Sequence, residues 1–184
     1  MVGNDIVDLQ LAATQSNWRR KGYLDKIFTS SEQQEILNSS NPEKMVWLFW
    51  SMKEAAYKIV NPLVGERFYS PKNFECSLDF SKYPLKGKVA YEIYNFDTIS
   101  EVTEEFINTT ATSEQNRELQ YYLLHNPDTY IEEFNKLSHK FRLTKNEANL
   151  PTIQDLFTEE FGPASVSHHG RYVSIVHPTQ FDPV

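Results

Sequence analysis

The stretch that decides the fold lies between Asn41 and Gly65 and reads NPEKMVWLFWSMKEAAYKIVNPLVG. Its apolar residues recur every three or four positions, which is the spacing of a helix that buries one face. Asn41 offers an N-cap, and Pro42 suits the first helical position because the nitrogen there needs no intrahelical partner. Pro62 and Gly65 are typical of a helix end. The sequence therefore predicts one long amphipathic helix.

Shorter elements are predicted on both sides of this helix. Apolar residues alternate with Asn and Asp from Val2 to Leu9, which favours a strand. Thr29 with Glu32 three residues later is an N-terminal signature, so a short helix is expected to about Leu37. Further strand patterns follow at about 74–80, 88–94, 102–111 and 165–176. Because no crossover helices separate most of these strands, we expect an α+β fold with a largely antiparallel sheet packed against the long helix.

Two later regions carry helical patterning. Residues 114–141 show it on both sides of an Asn-Pro break, and residues 154–161 resemble a short helix. The chain has no internal repeat and no change of composition that would mark a linker. We therefore expect a single domain over residues 1–184, with a helical insertion at about 114–141.

Composition excludes several classes of protein. The chain has 184 residues and a formal net charge of −7, which disfavours nucleic-acid binding because that binding depends on excess Lys and Arg. No apolar run is long enough for a membrane helix, and the N-terminus carries acids where a signal peptide needs bases. The single Cys76 excludes an internal disulfide framework and a Cys-rich zinc site. A cytoplasmic protein without membrane segments is expected.

Two sets of residues near the first strand and on the long helix could carry chemistry. Asp5 and Asp8 could hold a divalent cation, although Asp8 could equally turn the chain and Asp5 could be a cap. Glu54 and Lys58 lie four positions apart, on one helix face. They could place a metal-binding carboxylate beside a lysine that pairs with phosphate. The alternative is an ordinary surface pair, which contributes about 0.2–0.5 kcal/mol to a helix.

A third set lies near the C-terminus, where residues 165–172 read SVSHHGRY. Hydroxyl, imidazole and guanidinium groups all donate hydrogen bonds to phosphate oxygens, so the segment fits phosphate binding. The alternative is a terminal strand with a polar edge. Neighbouring His168 and His169 point to opposite sides of a strand and rarely bind one ion together. The sequence has no G-x-S-x-G motif, no P-loop and no G-x-G-x-x-G motif.

The order of these motifs resembles that of the 4′-phosphopantetheinyl transferase superfamily. The matching segments are GNDIVDL from Gly3, FTSSE from Phe28, WSMKEAAYK from Trp50 and SVSHHGRY from Ser165. Acidic motifs come first and the Ser-His motif last, as in the short holo-acyl-carrier-protein synthases, which are trimers with shared active sites. The resemblance therefore implies that fold and a homo-oligomer, with a trimer favoured. The alternative is a monomer in which residues 114–141 cover the surface that a neighbour would occupy.

The resemblance also implies a reaction. The 4′-phosphopantetheine group passes from coenzyme A to a serine of an acyl or peptidyl carrier protein, with release of adenosine 3′,5′-bisphosphate. Asp5 and Glu54 would bind Mg²⁺, and Lys58 would neutralise the leaving group. The proton acceptor would be Glu54 or a metal-bound water. The expected ligands of the adenosine-side phosphates are Ser167, His168 and Arg171.

The sequence departs from the family at three positions. Val7 stands where the double-length enzymes have a third carboxylate, and Gln10-Leu11 where the short enzymes have an arginine. The Gly-Lys-Pro segment is present only as Asn149-Leu150-Pro151, so Lys145 is a candidate for the phosphate-pairing lysine. These departures put the third metal ligand and one phosphate contact in doubt.

A protein of net charge −7 needs a local positive patch to dock an acidic carrier protein. The densest candidate is Arg19-Arg20-Lys21, with a solvated basic loop as the alternative. Two other functions stay open: a non-catalytic relative that binds the carrier or coenzyme A, and another metal-dependent phosphoryl transferase. The sequence leaves the type of carrier protein open.

Overall fold

Along the chain, one strand and three short helices come first, a long helix follows, and the remaining strands come after it. The computed structural model describes residues 1–65, 70–81, 83–113 and 118–181. The helices are α1 (Leu9–Gln15), α2 (Tyr23–Ile27), α3 (Ser30–Asn38), α4 (Pro42–Val64) and α5 (Tyr130–Leu137), with a short 3₁₀ turn at Pro71–Asn73. The strands are β1 (Val2–Asp8), β2 (Glu75–Asp79), β3 (Leu85–Tyr91), β4 (Tyr94–Val102), β5 (Phe106–Thr112), β6 (Leu119–Leu124), β7 (Phe141–Lys145), β8 (Pro151–Asp155), β9 (Phe161–Pro163), β10 (Ser165–His169) and β11 (Tyr172–Pro178).

Helix α4 is the long helix that the sequence predicts. The Asn41 side chain accepts from the Lys44 amide, and the helix ends at Gly65, whose φ of 74° suits glycine. The helix packs on a five-stranded antiparallel sheet of order β1-β5-β4-β3-β2. A Cβ at Gly3 would collide with the Ala55 carbonyl oxygen, so glycine lets β1 approach the helix closely. The α+β class with a largely antiparallel sheet is confirmed.

Two smaller antiparallel sheets complete the described structure. One has the order β10-β11-β6 and packs on β1, and the other has the order β7-β8-β9. Helix α5 lies against β6 and β7. This part has a hydrophobic core of its own, formed by Leu124, Phe134, Phe141, Leu143, Ile153, Val173 and Ile175.

Three predictions of secondary structure are wrong. Within the expected helical insertion, residues 119–124 form β6 and pair with β11, whereas α5 is helical as predicted and residues 114–117 lie outside the described residues. In place of the helix expected at 154–161, the ends of β8 and β9 are joined by a turn at 156–160, where the Asp155 carboxylate accepts from the amides of Phe157 and Thr158. The final strand is a hairpin that turns at Gly170, with φ of 56°. A short apolar run fits the spacing of a helix as well as that of a strand. Pairing with strands that are distant in sequence determines which of the two forms.

In the described part of the chain, no helix is both long enough and apolar enough to cross a membrane. The single-domain organisation over residues 1–184 stays a prediction.

Candidate active site

Three residues from the first two sequence motifs meet between β1 and α4. Lys58 Nζ lies 3.7 Å from Asp5 Oδ1 and donates to the Asn4 carbonyl oxygen at 2.6 Å. Glu54 is one helical turn before Lys58 and is close enough to influence the charge of Asp5. Ser51 Oγ donates to the Asp5 carbonyl oxygen at 3.4 Å, which ties the strand to the helix. Two carboxylates and one ammonium group therefore lie near one another between β1 and α4.

Burial dominates the electrostatics of this cluster. Burial raises the pKa of Asp5 to about 7, with Glu54 adding to the rise and Lys58 opposing it. Burial also raises the pKa of Glu54 and lowers the pKa of Lys58. Asp5 Oδ2 is buried and has no hydrogen-bond partner among the described residues. The one lysine thus compensates the two carboxylates incompletely, and a further cation would be stabilised here.

A divalent cation at this place would take few ligands from the protein. Asp5 and Glu54 are the carboxylates at the site, and the described ranges hold no group of three or more His, Cys, Asp or Glu residues arranged for a metal. Val7 is only 5% exposed and belongs to the hydrophobic core, so it adds no ligand. Asp5 Oδ2 could bind a cation whose other ligands are substrate oxygens and water. Mg²⁺ is usually bound in proteins in this way.

The Ser-His strand lies beside β1 in the same chain. The Asn4 amide donates to Ser165 Oγ at 3.0 Å, and the Asp8 amide donates to His169 Nδ1 at 2.9 Å. Equal spacing of these contacts along both strands means that β10 runs beside β1 in the same direction. Asp5, His168 and His169 consequently line one cavity of about 300 Å³.

This cavity removes the premise of the trimer prediction. A site shared between subunits would be needed if one chain kept Asp5 away from the Ser-His strand, but packing of β10 on β1 brings Asp5 and His168 together within one chain. The oligomeric state itself stays a prediction.

The expected phosphate ligands differ in their surroundings. Ser167 is 4% exposed, and its hydroxyl has no partner in the described part of the chain, whereas the His168 side chain is exposed at the cavity. Arg171 lies 3.6 Å from Asp8 Oδ2 and 3.4 Å from Glu105 Oε1, so two carboxylates already compensate its charge. Lys145 is exposed at the end of β7, and it is not among the residues that line the cavities at Asp5 and Lys58. The roles of all four stay predictions.

The basic stretch divides between the cavity and the outer surface. Arg20 and Lys26 line the cavity with Asp5 and His168. Arg19 instead lies over the Trp18 ring, 4.1 Å from its centroid, and 3.9 Å from Glu43. The cavity therefore has a carboxylate at Asp5 and a rim of basic side chains.

A second cavity of about 500 Å³ lies at Lys58, between α4 and the third sheet. Its walls include Tyr57 and Ile59 from the helix and Leu150 and Phe161 from the sheet region. Lys58 is thus accessible from a largely apolar cleft as well as from the carboxylate side.

A buried ion pair that the sequence analysis missed supports the helix at Glu54. Lys53 Nζ lies 2.8 Å from Glu32 Oε1, and both side chains are 1% exposed. Lys53 also donates to the Phe74 carbonyl oxygen, and Glu32 accepts from the Cys76 amide at 2.7 Å. The pair joins α3, α4 and β2. The sequence does contain a signal for this ion pair, because Glu32 stands in the FTSSE motif and Lys53 in the WSMKEAAYK motif.

The fold and this cavity define an α+β protein in which an aspartate, basic side chains and two histidines line one cavity. The family model of the 4′-phosphopantetheinyl transferase superfamily matches residues 1–123, and the chain belongs to that superfamily. The recognition of this family from the sequence is confirmed, and so is its phosphopantetheinyl transferase type of function. The Ser-His hairpin lies beyond the matched residues.

Solved structures and curated proteins give two further findings. The crystal structure of Thermotoga maritima holo-acyl-carrier-protein synthase is similar to this chain with a TM-score of 0.46 and 12% sequence identity. The similarity covers 82% of this chain and 83% of that chain. No curated protein matches.

Proposed function

We propose that this protein transfers 4′-phosphopantetheine from coenzyme A to a serine hydroxyl of an apo carrier protein. The proposal is of the holo-acyl-carrier-protein synthase type, and adenosine 3′,5′-bisphosphate is the second product. The observation that carries it is Asp5, which has Lys58 near Oδ1, leaves its buried Oδ2 without a hydrogen-bond partner among the described residues and lines a cavity with His168. That arrangement suits a pyrophosphate bound through a cation at one end and through protein donors at the other.

The chemical step exchanges one phosphorus–oxygen bond for another. The serine oxygen forms a bond to the phosphorus that carries the pantetheine arm, and the bond from that phosphorus to the adenosine-side phosphate breaks. The serine proton must leave during this attack. Glu54 is our proposed acceptor, because burial raises the pKa of its carboxyl group and makes the carboxylate a better base. Lys58 pairs with the departing phosphate.

We assign Asp5 and Glu54 as the residues that would hold Mg²⁺. When bound, Mg²⁺ would neutralise charge on the pyrophosphate oxygens. Lys58 alone leaves the two carboxylates and an incoming pyrophosphate short of positive charge, which supports a requirement for the ion. Lys58 Nζ lies 3.7 Å from Asp5 Oδ1, so we assign Asp5 Oδ2, which has no hydrogen-bond partner among the described residues, as the oxygen that would bind the cation.

The carrier protein would be an acidic protein that docks near the basic stretch. Arg19 and Lys21 are exposed and lie close to the cavity that Arg20 lines. Charge complementarity at this surface acts mainly on the rate of encounter. Replacement of Arg19 and Lys21 by Glu should raise KM for the carrier and weaken its dependence on salt, with little change in KM for coenzyme A. An unchanged carrier KM at low salt would place the docking surface elsewhere.

Incubation of an apo carrier with the protein, coenzyme A and Mg²⁺ tests the function. Intact-mass spectrometry should record the addition of one phosphopantetheine group to the carrier. Glu54→Gln is the matched control, because it keeps the shape of the side chain and loses its charge. Acyl and peptidyl carriers should be tested side by side, since either could be the substrate. Equal modification by wild type and Glu54→Gln would refute the assignment of the site.

A further inference from the structure

The tautomer of His169 is fixed by a backbone amide. The Asp8 N–H donates to His169 Nδ1 at 2.9 Å. A backbone amide can only donate, so Nδ1 must offer its lone pair, and the proton of the neutral ring is on Nε2. Burial lowers the pKa of His169, which favours the same neutral form. The His169 ring is therefore a donor at Nε2.

The Asp8 residue that holds this ring is itself firmly held. Its carboxylate caps α1 by accepting from the amides of Gln10 and Leu11. The same carboxylate lies 3.6 Å from the Arg171 guanidinium, and Gly170 packs so closely on it that a Cβ would collide. The hairpin turn and the start of α1 thus fix the orientation of the ring before any ligand binds.

The donor at Nε2 is only weakly engaged within the protein. Among the described residues, its partner is Gln15 Oε1 at 3.4 Å, at the long limit for this type of bond. His169 and Gln15 both line the 300 Å³ cavity that also contains Arg20. A ligand oxygen entering the cavity could replace this long contact with a shorter one.

We propose that His169 Nε2–H binds a phosphate oxygen of the nucleotide part of coenzyme A. The inference rests on the proposed function and adds a ligand to it, since the phosphate ligands expected from the resemblance are Ser167, His168 and Arg171. Asp5 repels an anion in this cavity, whereas the charges of Arg20 and Lys26, which also line it, attract one. The preorganised Nε2–H of His169 adds a neutral donor to these two cationic side chains in the lining of the cavity. A neutral donor suits a phosphate oxygen because it needs no change of protonation on binding.

Two substitutions separate binding from a purely structural role. Asn places an oxygen near the position of Nδ1, so His169→Asn keeps the contact with the Asp8 amide and loses the Nε2 donor. Gln places an amide N–H near the position of Nε2, so His169→Gln keeps a donor and loses the contact with Asp8. His139→Asn is the control, because His139 is exposed and lies far along the chain, next to α5.

Calorimetric binding of adenosine 3′,5′-bisphosphate and of coenzyme A measures the effect. We expect His169→Asn to weaken both about tenfold, as for loss of one hydrogen bond to a charged group. Its melting temperature should remain close to that of the wild type. His169→Gln should bind more tightly than His169→Asn while melting at a lower temperature, and His139→Asn should change neither. Wild-type affinity in His169→Asn would overturn the inference, as would weaker binding in His169→Gln than in His169→Asn.

Kinetics distinguish this inference from the proposed function. With a modifiable carrier, His169→Asn should raise KM for coenzyme A with little change in kcat or in KM for the carrier, because a remote phosphate contact acts alike in ground and transition states. A wild type that binds adenosine 3′,5′-bisphosphate but modifies no carrier would refute the transferase and leave the binding comparison decisive. A wild type that binds neither nucleotide would overturn the inference itself.

Discussion

Replacement of Asp5 by Asn should stabilise the protein at pH 8 while abolishing transfer. Burial raises the pKa of Asp5 from 3.8 to about 7. Between these values the unfolded chain has lost its proton and the folded chain keeps it, so the free energy of unfolding falls as the pH rises. One pKa unit corresponds to about 1.4 kcal/mol, so the fall is at most about 4 kcal/mol. Asn keeps the shape of the side chain and has no proton to lose.

Urea unfolding at pH 4, 6 and 8 without divalent cations measures this effect. The wild type and Asp5→Asn should have similar stability at pH 4, and the variant should become more stable by up to about 4 kcal/mol at pH 8. Mg²⁺ at pH 8 should raise the midpoint of the wild type and leave the variant unchanged, because the cation stabilises only a carboxylate. If the free energy of unfolding of the two proteins depended on pH in the same way, the claim that burial raises the pKa of Asp5 would be refuted.

Three further predictions concern the neighbouring residues. Glu54→Gln should lower kcat at least about a hundredfold without lowering the melting temperature, as for loss of a general base; a kcat within threefold of wild type would exclude Glu54 as the proton acceptor. Lys53→Met should lower the free energy of unfolding in urea by about 3–5 kcal/mol, because Glu32 becomes a buried unpaired charge. Adding Glu32→Gln should restore part of that free energy, and equal stability of the single and double variants would contradict this explanation. Mixtures of Glu54→Ala and His168→Ala proteins should stay inactive, because Asp5, which lies near Glu54, lines the same cavity as His168 within one chain; restored activity would support the trimer with shared sites expected from the resemblance.

The predictable part of the fold is the part that local signals decide. Helix α4 carries a long periodic pattern with matching ends, and α3 has a complete capping box between Thr29 and Glu32. Strand β6 was mistaken for a helix because its ladder with β11 pairs residues that are distant in sequence. The turn at Asp155 likewise depends on side-chain contacts that periodicity does not record.

The candidate site likewise contains residues that local patterns predict and contacts that they do not. Glu54 and Lys58 follow from helical spacing, and the family resemblance placed Asp5 with them. The contact between Asp8 and His169 joins residues 161 positions apart, so no local pattern contains it. The buried ion pair of Lys53 with Glu32 joins two motifs through residues 21 positions apart. Tertiary packing produces both of these contacts.

The transfer reaction itself gives the most direct test of the central claim. Purified protein, coenzyme A, Mg²⁺ and an apo carrier are incubated, and the modified carrier and adenosine 3′,5′-bisphosphate are quantified in the same samples. The account predicts that both products form in equal amounts with the wild type, and that neither forms with Asp5→Asn. Release of the nucleotide without modification of any acyl or peptidyl carrier, or equal transfer by Asp5→Asn, would contradict it.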